Sequence, residues 1–173
     1  MELKNIHIIL DIDGTLIDDD ANPRPDLQYF FDFCFNSFAS VNIWTAANRE
    51  WYEYVNKNVF TKLLNKNKFG FVWCGDRCSI GRNYINGFYP ETYKTKRLKK
   101  IWKTYKQMNK NNTLILDDTP KTYSLNYGNA IPIPTFENNN MKDDMLIKLT
   151  KWISIFNMKP LRYCEKRFWF ILE

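Results

Sequence analysis

One short stretch near the amino terminus limits what this chain can fold into more than any other. Residues 6–10 form a mostly apolar run that stops at Asp11 and Asp13, with Gly14 and Thr15 behind them. Apolar residues without polar alternation predict a strand buried on both faces, which is typical of a parallel sheet. Ligands bind beyond the carboxyl ends of such strands, so both carboxylates are expected within reach of a substrate. A divalent cation would relieve their repulsion, although Asp and Gly also form ordinary turns and that alternative stays open.

A second strand end of the same kind lies in the carboxyl-terminal half of the chain. The apolar residues 114–116 are followed directly by Asp117 and Asp118. Two such ends in one small domain are hard to explain as turns alone. Together they predict a cation held between carboxylates of different strands.

A hydroxyl and a lysine are the next candidates for a site. Thr45 follows the short β-prone segment 41–44, where a hydroxyl can hold a phosphate oxygen, although Thr45 could equally be an ordinary helix cap. Lys94 or Lys96 stands at the start of a predicted helix. A lysine among aspartates would neutralise a carboxylate nucleophile and bind a transferring phosphoryl group.

Hydrophobic periodicity places the remaining elements around these strand ends. It predicts helices over about 27–38, 49–64, 93–108 and 142–156, a strand over 68–74 and an edge strand over 128–134. Residues 78–90 show no helical period, which predicts a small insertion over the crevice. Asp18, Asp19 and Asp20 are expected to form a solvated loop.

Size and composition favour one folded domain inside the cell. The chain has 173 residues, 17% of them aromatic, and its four cysteines are too scattered for a disulfide scaffold or a zinc site. No stretch has the length and character of a membrane span or a secretion signal. We therefore expect an intracellular protein, cytoplasmic or nuclear, in a reducing compartment and without membrane contact. The net charge of +6 comes from lysines spread along the chain, so we expect a solvated basic surface and no direct nucleic-acid binding.

The order of these features resembles the haloacid dehalogenase superfamily of phosphotransferases. More narrowly, the chain resembles the phosphatases of the RNA polymerase II carboxy-terminal domain and the NLI-interacting-factor-like proteins. The stretches that carry the narrower likeness are 24–27, 43–46, 95–102, 116–120 and 129–133. The resemblance implies a three-layer, Rossmann-like α/β fold with a central parallel sheet flanked by helices. It also implies one domain over 1–158 with a small insertion, or minimal cap, at about 74–92, and a tail over 159–173 that packs on the domain or contacts a partner.

The resemblance also implies the role of each acid. Asp11 would attack phosphorus and form an aspartyl-phosphate, while Asp13 would protonate the leaving oxygen and then activate water. Mg²⁺ would be bound by the side chain of Asp11, the backbone carbonyl of Asp13 and the side chain of Asp117. Asp118 would contribute through water.

Three further residues receive supporting roles from the resemblance. Thr45 and Lys96 would hold the phosphate, and Thr15 would support the nucleophile loop. Lys96 is preferred to Lys94 because the family's x-Leu-x-x-Ile-Trp pattern follows it. One departure is Gly14, since the family commonly carries a bulkier or acidic residue there and glycine is the choice of the superfamily at large.

These inferences predict a magnesium-dependent protein phosphatase. Its substrate would be phosphoserine or phosphothreonine in a protein or peptide, with peptides like the polymerase tail as one possibility. A small phosphorylated metabolite or a nucleic-acid 3′-phosphate is an alternative substrate within the same chemistry. A non-catalytic binding protein on a phosphatase scaffold is the alternative of another class, and the sequence leaves the oligomeric state open.

Overall fold

The computed structural model describes residues 2–85, 89–126, 128–155 and 161–171. Within those ranges, the strands are β1 (His7–Leu10), β2 (Ser40–Trp44), β3 (Val72–Trp73), β4 (Ser79–Ile85), β5 (Tyr89–Thr95), β6 (Thr113–Asp117) and β7 (Ala130–Pro132). The helices are α1 (Leu27–Ser37), α2 (Arg49–Val55), α3 (Thr61–Leu63), α4 (Leu98–Thr104), α5 (Pro120–Tyr123) and α6 (Met145–Ile155). A π-helical turn over Asn56–Phe60 joins α2 to α3, so the helix predicted over 49–64 is continuous.

Five strands form the central sheet, in the order β3-β2-β1-β6-β7. Every neighbouring pair is parallel, and Leu10 of β1 lies beside Ile43 of β2 and Leu116 of β6. β7, with its proline, is at an edge as predicted, because proline has no backbone N–H to donate to a neighbouring strand. The parallel α/β fold expected from the sequence is confirmed.

Both faces of the sheet are covered, which explains the unbroken apolar runs. Along β1, Ile8 and Leu10 belong to one apolar cluster and Ile9 to the other. The larger cluster contains the buried sides of α1 and α6, and the smaller one contains Leu98 and Ile101 of α4. Side chains alternate faces along a strand, so a strand covered by helices on both faces needs apolar residues at every position. The result is three layers with the sheet in the middle.

The insertion is a two-stranded antiparallel hairpin of β4 and β5. Residues 93–95, which the sequence placed at the start of a helix, are instead the end of β5, and Thr95 pairs with Ser79. The helix begins only at Leu98, five residues after the predicted start at residue 93. Cross-strand pairing therefore overrides the local helical pattern, and the insertion ends beyond the expected residue 92.

The tail packs against the edge of the sheet in its described part. Leu161 and Trp169 are buried, and the Trp169 indole N–H donates to the Pro132 carbonyl at 2.7 Å. The tail thereby covers one side of the edge strand β7. Among the described residues, no helix combines the length and apolar character needed to cross a membrane.

The acidic loop after the first motif differs from the expectation in one residue. Asp19 and Asp20 are exposed, but Asp18 is only 2% exposed and accepts backbone hydrogen bonds from Asp20, Asn22 and Asn139. Burial would raise the pKa of the Asp18 carboxyl, but a hydrogen bond from the Asn22 side chain, together with these backbone bonds, outweighs burial and lowers the pKa. Asp18 therefore orders the loop instead of being solvated.

Candidate active site

The carboxyl ends of three neighbouring strands bring the predicted residues to one edge of the sheet. Asp11 directly follows β1, Asp117 is the last residue of β6, and Thr45 directly follows β2. The parallel register keeps these ends level, and the Asp11 amide donates to the Leu116 carbonyl at 3.0 Å. A parallel sheet therefore turns three distant sequence positions into one site.

Lys96 lies at the centre of this edge, between the two strand-end aspartates. Its side chain is fully buried, with Nζ 2.5 Å from Asp11 Oδ1 and 2.8 Å from Asp117 Oδ2. Lys94 is exposed and its Nζ donates to the Ala46 carbonyl at 2.6 Å. The structure therefore brings Lys96, and not Lys94, to the acids.

Backbone contacts from the segment after β6 fix the position of Lys96. The Lys96 amide donates to the Thr122 carbonyl at 2.7 Å, and the buried Asn126 side chain donates to the Lys96 carbonyl at 2.6 Å. The same Asn126 side chain accepts from the Leu98 amide at 2.9 Å, at the start of α4. The lysine is thus held where β5 passes into α4, a place that helical periodicity alone does not reveal.

Burial sets the electrostatics of this cluster. It raises the pKa of Asp11 well above its usual value, and the nearby Asp117 adds to the rise while Lys96 opposes it. Burial would lower the pKa of Lys96, but the two carboxylates outweigh burial and raise it. Lys96 therefore stays a cation at neutral pH, and two carboxylates share its single positive charge.

Asp118 is held by hydroxyls from two loops. Thr15, fully buried, donates to Asp118 Oδ1 at 3.1 Å, and Thr135 donates to Oδ2 at 2.9 Å. Burial, followed by the charge of Asp117, raises the Asp118 pKa. Thr15 therefore links the loop after β1 to Asp118, and the supporting role predicted for it stays a prediction.

The crowding around Asp118 explains the glycine in the first motif. Gly14 has φ +73°, and a Cβ there would lie 2.6 Å from Asp118 Oδ2 and 3.0 Å from Thr135 Cγ2. A larger residue would meet both the backbone strain and this contact. The departure noted from the family's usual residue is therefore matched by the surrounding packing in this chain.

Asp13 accepts hydrogen bonds from Thr45 and from the helix that follows it. Thr45 Oγ1 donates to Asp13 Oδ2 at 3.0 Å and itself accepts from the Ala47 amide at 2.9 Å. The Trp51 indole N–H donates to the other oxygen, Asp13 Oδ1, at 2.5 Å. The cap of α2 is Asn48, which accepts from the Trp51 amide, so the alternative reading of Thr45 as the helix cap is wrong.

The acids fit a divalent cation. Asp11, Asp117 and Asp118 can each offer one carboxylate oxygen, and the three atoms lie within 4.8 Å of one another. Carboxylate oxygens suit hard cations such as Mg²⁺ or Ca²⁺. Three carboxylates and one ammonium leave excess negative charge in a buried place, which a divalent cation would compensate. The Asp13 side chain is not part of this group, and the predicted contact through its backbone carbonyl stays a prediction.

Two residues at the site were not among the sequence candidates. The sequence assigned Trp51 a packing role, and its only signal was its place in the first turn of the helix after Thr45. Thr135 follows the edge strand and carries no motif of its own. Both become visible only when the fold brings α2 to Asp13 and the segment after β7 to Asp118.

Fold and site together define a phosphotransferase of the haloacid dehalogenase type: a parallel sheet with acids at the ends of two central strands and a lysine between them. The sequence model of the NLI interacting factor-like phosphatase family matches residues 6–160, and the chain belongs to that family. Membership implies phosphatase activity that depends on a divalent metal ion, for which Asp11, Asp117 and Asp118 offer carboxylate oxygens.

The chain is similar in sequence to relatives of two kinds. The chain is 28% identical over 144 residues to the putative CTD phosphatase-like protein 355R of Invertebrate iridescent virus 3, which covers 79% of this chain and 74% of the viral protein. It is 26% identical over 174 residues to the ubiquitin-like domain-containing CTD phosphatase 1 of Xenopus tropicalis, covering 94% of this chain and 53% of that protein.

Solved structures share the fold. The fission yeast RNA polymerase II CTD phosphatase Fcp1 bound to beryllium fluoride superposes with a TM-score of 0.51 at 14% identity, over 86% of this chain and 49% of that one. A second structure of Fcp1, described as an essential RNA polymerase II CTD phosphatase, gives a TM-score of 0.52 at 13% identity and covers 91% and 51% of the two chains. This chain thus spans about half the length of these structures and about three quarters of the viral relative.

Proposed function

We propose that this chain hydrolyses phosphoserine and phosphothreonine in proteins through an aspartyl-phosphate on Asp11, with Mg²⁺ as the cofactor. The observation that carries the proposal is the pairing of Asp11 with the buried Lys96, within reach of Asp117 and Asp118. A carboxylate nucleophile must approach a negatively charged phosphate, and a fixed cation at 2.5 Å lowers that barrier.

The chain's own residues divide the reaction between them. An Asp11 oxygen attacks phosphorus, the bond to the serine or threonine oxygen breaks, and Asp13 gives that oxygen a proton. Asp13 then takes a proton from water as the water oxygen attacks phosphorus, which frees Asp11 and releases phosphate. Thr45 and Lys96 bind the phosphoryl oxygens, while Thr15 and Asp118 hold the nucleophile loop in place. A bound Mg²⁺ would supply charge compensation for the phosphoryl oxygens at Asp11, Asp117 and Asp118.

The substrate class rests on the relatives and on the size of the insertion. Relatives of this chain carry the name of CTD phosphatases, which supports a phosphorylated peptide of that general kind. The insertion is only the hairpin of β4 and β5 in its described part. A small insertion suits a segment of protein better than a free metabolite, over which an enzyme usually closes a larger lid.

The test is turnover of phosphoserine and phosphothreonine peptides, with and without Mg²⁺, against a panel of sugar phosphates and nucleotides. We expect hydrolysis of the peptides that stops on chelation and returns when Mg²⁺ is added. Asp117→Asn should weaken the response to Mg²⁺, since it removes one carboxylate from the cluster, whereas Asp76→Asn on the exposed turn before the hairpin should leave it unchanged. Turnover of metabolites without any of the phosphopeptides would contradict the proposed substrate class.

A further inference from the structure

The contact between Trp51 and Asp13 has no role in the scheme above. The indole N–H donates to Asp13 Oδ1 at 2.5 Å, while Thr45 donates to Oδ2 at 3.0 Å. Each oxygen of this half-buried carboxylate thus has one donor from a different element. Of the two donors, only Thr45 also binds the phosphate in the proposed function.

The two donors differ in how easily they can leave Asp13. The Thr45 hydroxyl rotates about one bond, so it can turn from Asp13 Oδ2 toward a phosphoryl oxygen when substrate arrives. Its acceptor lone pair meanwhile stays on the Ala47 amide at 2.9 Å. In the proposed function, substrate binding would therefore free Oδ2 and leave Oδ1 on the indole.

The Trp51 ring cannot follow such a change. It is half-buried and stacks on Tyr54, with ring centroids 5.5 Å apart and planes 15° from parallel. The indole N–H only donates, so it excludes a proton from the oxygen that it faces. A rigid donor of this kind fixes both the direction of the carboxyl group and the oxygen that carries the proton.

We infer that Trp51 is the positioning residue of the general acid: its indole N–H holds Asp13 Oδ1, so Oδ2 carries the proton that passes to the leaving oxygen. The inference rests on the proposed function, because it assigns Asp13 the role of proton donor. In the transfer, the bond from phosphorus to the leaving oxygen breaks. The Oδ2–H bond of Asp13 breaks at the same time, and the proton forms a new O–H bond with the leaving oxygen.

The test compares leaving groups at one fixed pH. In a series of aryl phosphates, the more acidic the phenol, the less its departure depends on protonation by a general acid. The ratio kcat/KM includes only the steps up to leaving-group departure, so hydrolysis of the aspartyl-phosphate does not enter it. We expect Trp51→Phe to lower kcat/KM about tenfold or more for the least acidic phenol and to change it little for the most acidic one. Trp51→His, which keeps a ring N–H, should recover part of the loss.

Trp102→Phe is the matched control. It makes the same replacement on α4, and within the described residues the Trp102 indole N–H has no hydrogen-bond partner. Its leaving-group dependence should equal that of the parent. Equal dependence in the parent and in Trp51→Phe would overturn the inference and leave the proposed function standing.

A second measurement does not depend on activity. In the nitrogen–proton spectrum, the Trp51 indole signal is identified by its loss in Trp51→Phe. We expect Asp13→Ala to move that signal upfield, because it removes the acceptor. An unmoved signal would show that the hydrogen bond is absent in solution and would overturn the inference even in a protein without phosphatase activity. A moved signal in a protein that hydrolyses no phosphate ester would instead contradict the proposed function.

Discussion

Replacing Lys96 with methionine is expected to destabilise the fold by about 3–5 kcal/mol at neutral pH and to remove phosphatase turnover. The substitution keeps much of the side-chain volume but leaves Asp11 and Asp117 buried beside each other without their shared cation. Removing one partner of a buried ionic cluster costs far more than an exposed pair contributes. Urea unfolding of the metal-free protein measures the loss of stability.

The same variant should show a characteristic dependence on pH. Burial already raises the Asp11 pKa, and loss of Lys96 removes the cation that opposes the rise. A carboxyl group with a raised pKa in the folded state binds a proton on folding. Such a group's contribution to the stability of the protein is therefore greatest below its pKa in the unfolded state. That contribution is lost as pH rises through its pKa in the folded state. The difference in the free energy of unfolding between the parent and Lys96→Met should accordingly be smaller at pH 5 than at pH 8.

Lys94→Met is the matched control for this experiment. It makes the same change two residues earlier, at an exposed lysine whose Nζ donates to the Ala46 carbonyl and lies near no carboxylate of the cluster. We expect it to change stability by less than about 0.5 kcal/mol. Equal, small effects of the two substitutions would contradict the buried ionic cluster.

The second large effect is expected at Arg24, where methionine should cost about 3–5 kcal/mol. The guanidinium is buried and binds both oxygens of Asp143, through Nε at 2.8 Å and through an η nitrogen at 2.7 Å. It also donates to the carbonyls of Thr15 at 3.1 Å and Pro134 at 3.0 Å. The variant would leave a nearly buried carboxylate and two carbonyls without these donors, so both loops around Gly14 should loosen.

An exposed ion pair at the start of α6 provides the comparison. Lys148 lies 3.2 Å from Asp144, and both side chains are about half exposed. Lys148→Met should change the free energy of unfolding by less than about 0.5 kcal/mol. If Arg24→Met costs no more than Lys148→Met, the guanidinium does not hold the loops together.

The parts of the site that lie at strand ends could be predicted because their signal is local. An apolar run followed by acids marks Asp11 and Asp117 without any knowledge of the other elements. The parallel sheet then places them side by side, and the register of β1 with β6 confirms that neighbourhood. The predicted helices over 27–38 and 49–64 are confirmed for the same reason, since their apolar period is strong.

Other parts depend on contacts between distant segments and could not be predicted. β5 extends to Thr95 because it pairs with β4, although its last residues read as the start of a helix. Trp51 looked like a packing residue because nothing local shows that its indole reaches Asp13. The buried Asp18 looked solvated, since its backbone donors include Asn139, from the opposite end of the chain.

The central claim is that Asp11 becomes phosphorylated, and direct detection of the phosphate tests it best. Asp13→Asn should slow hydrolysis of the intermediate, so incubation with an aryl phosphate that carries an acidic phenol, followed by acid quenching, should trap it. We expect peptide mass spectrometry to place one phosphate on Asp11, labile to hydroxylamine, and to find none when Asp11 is also replaced by asparagine. Phosphate on a different residue, or an active enzyme that never carries covalent phosphate, would contradict the assignment of Asp11 as the nucleophile.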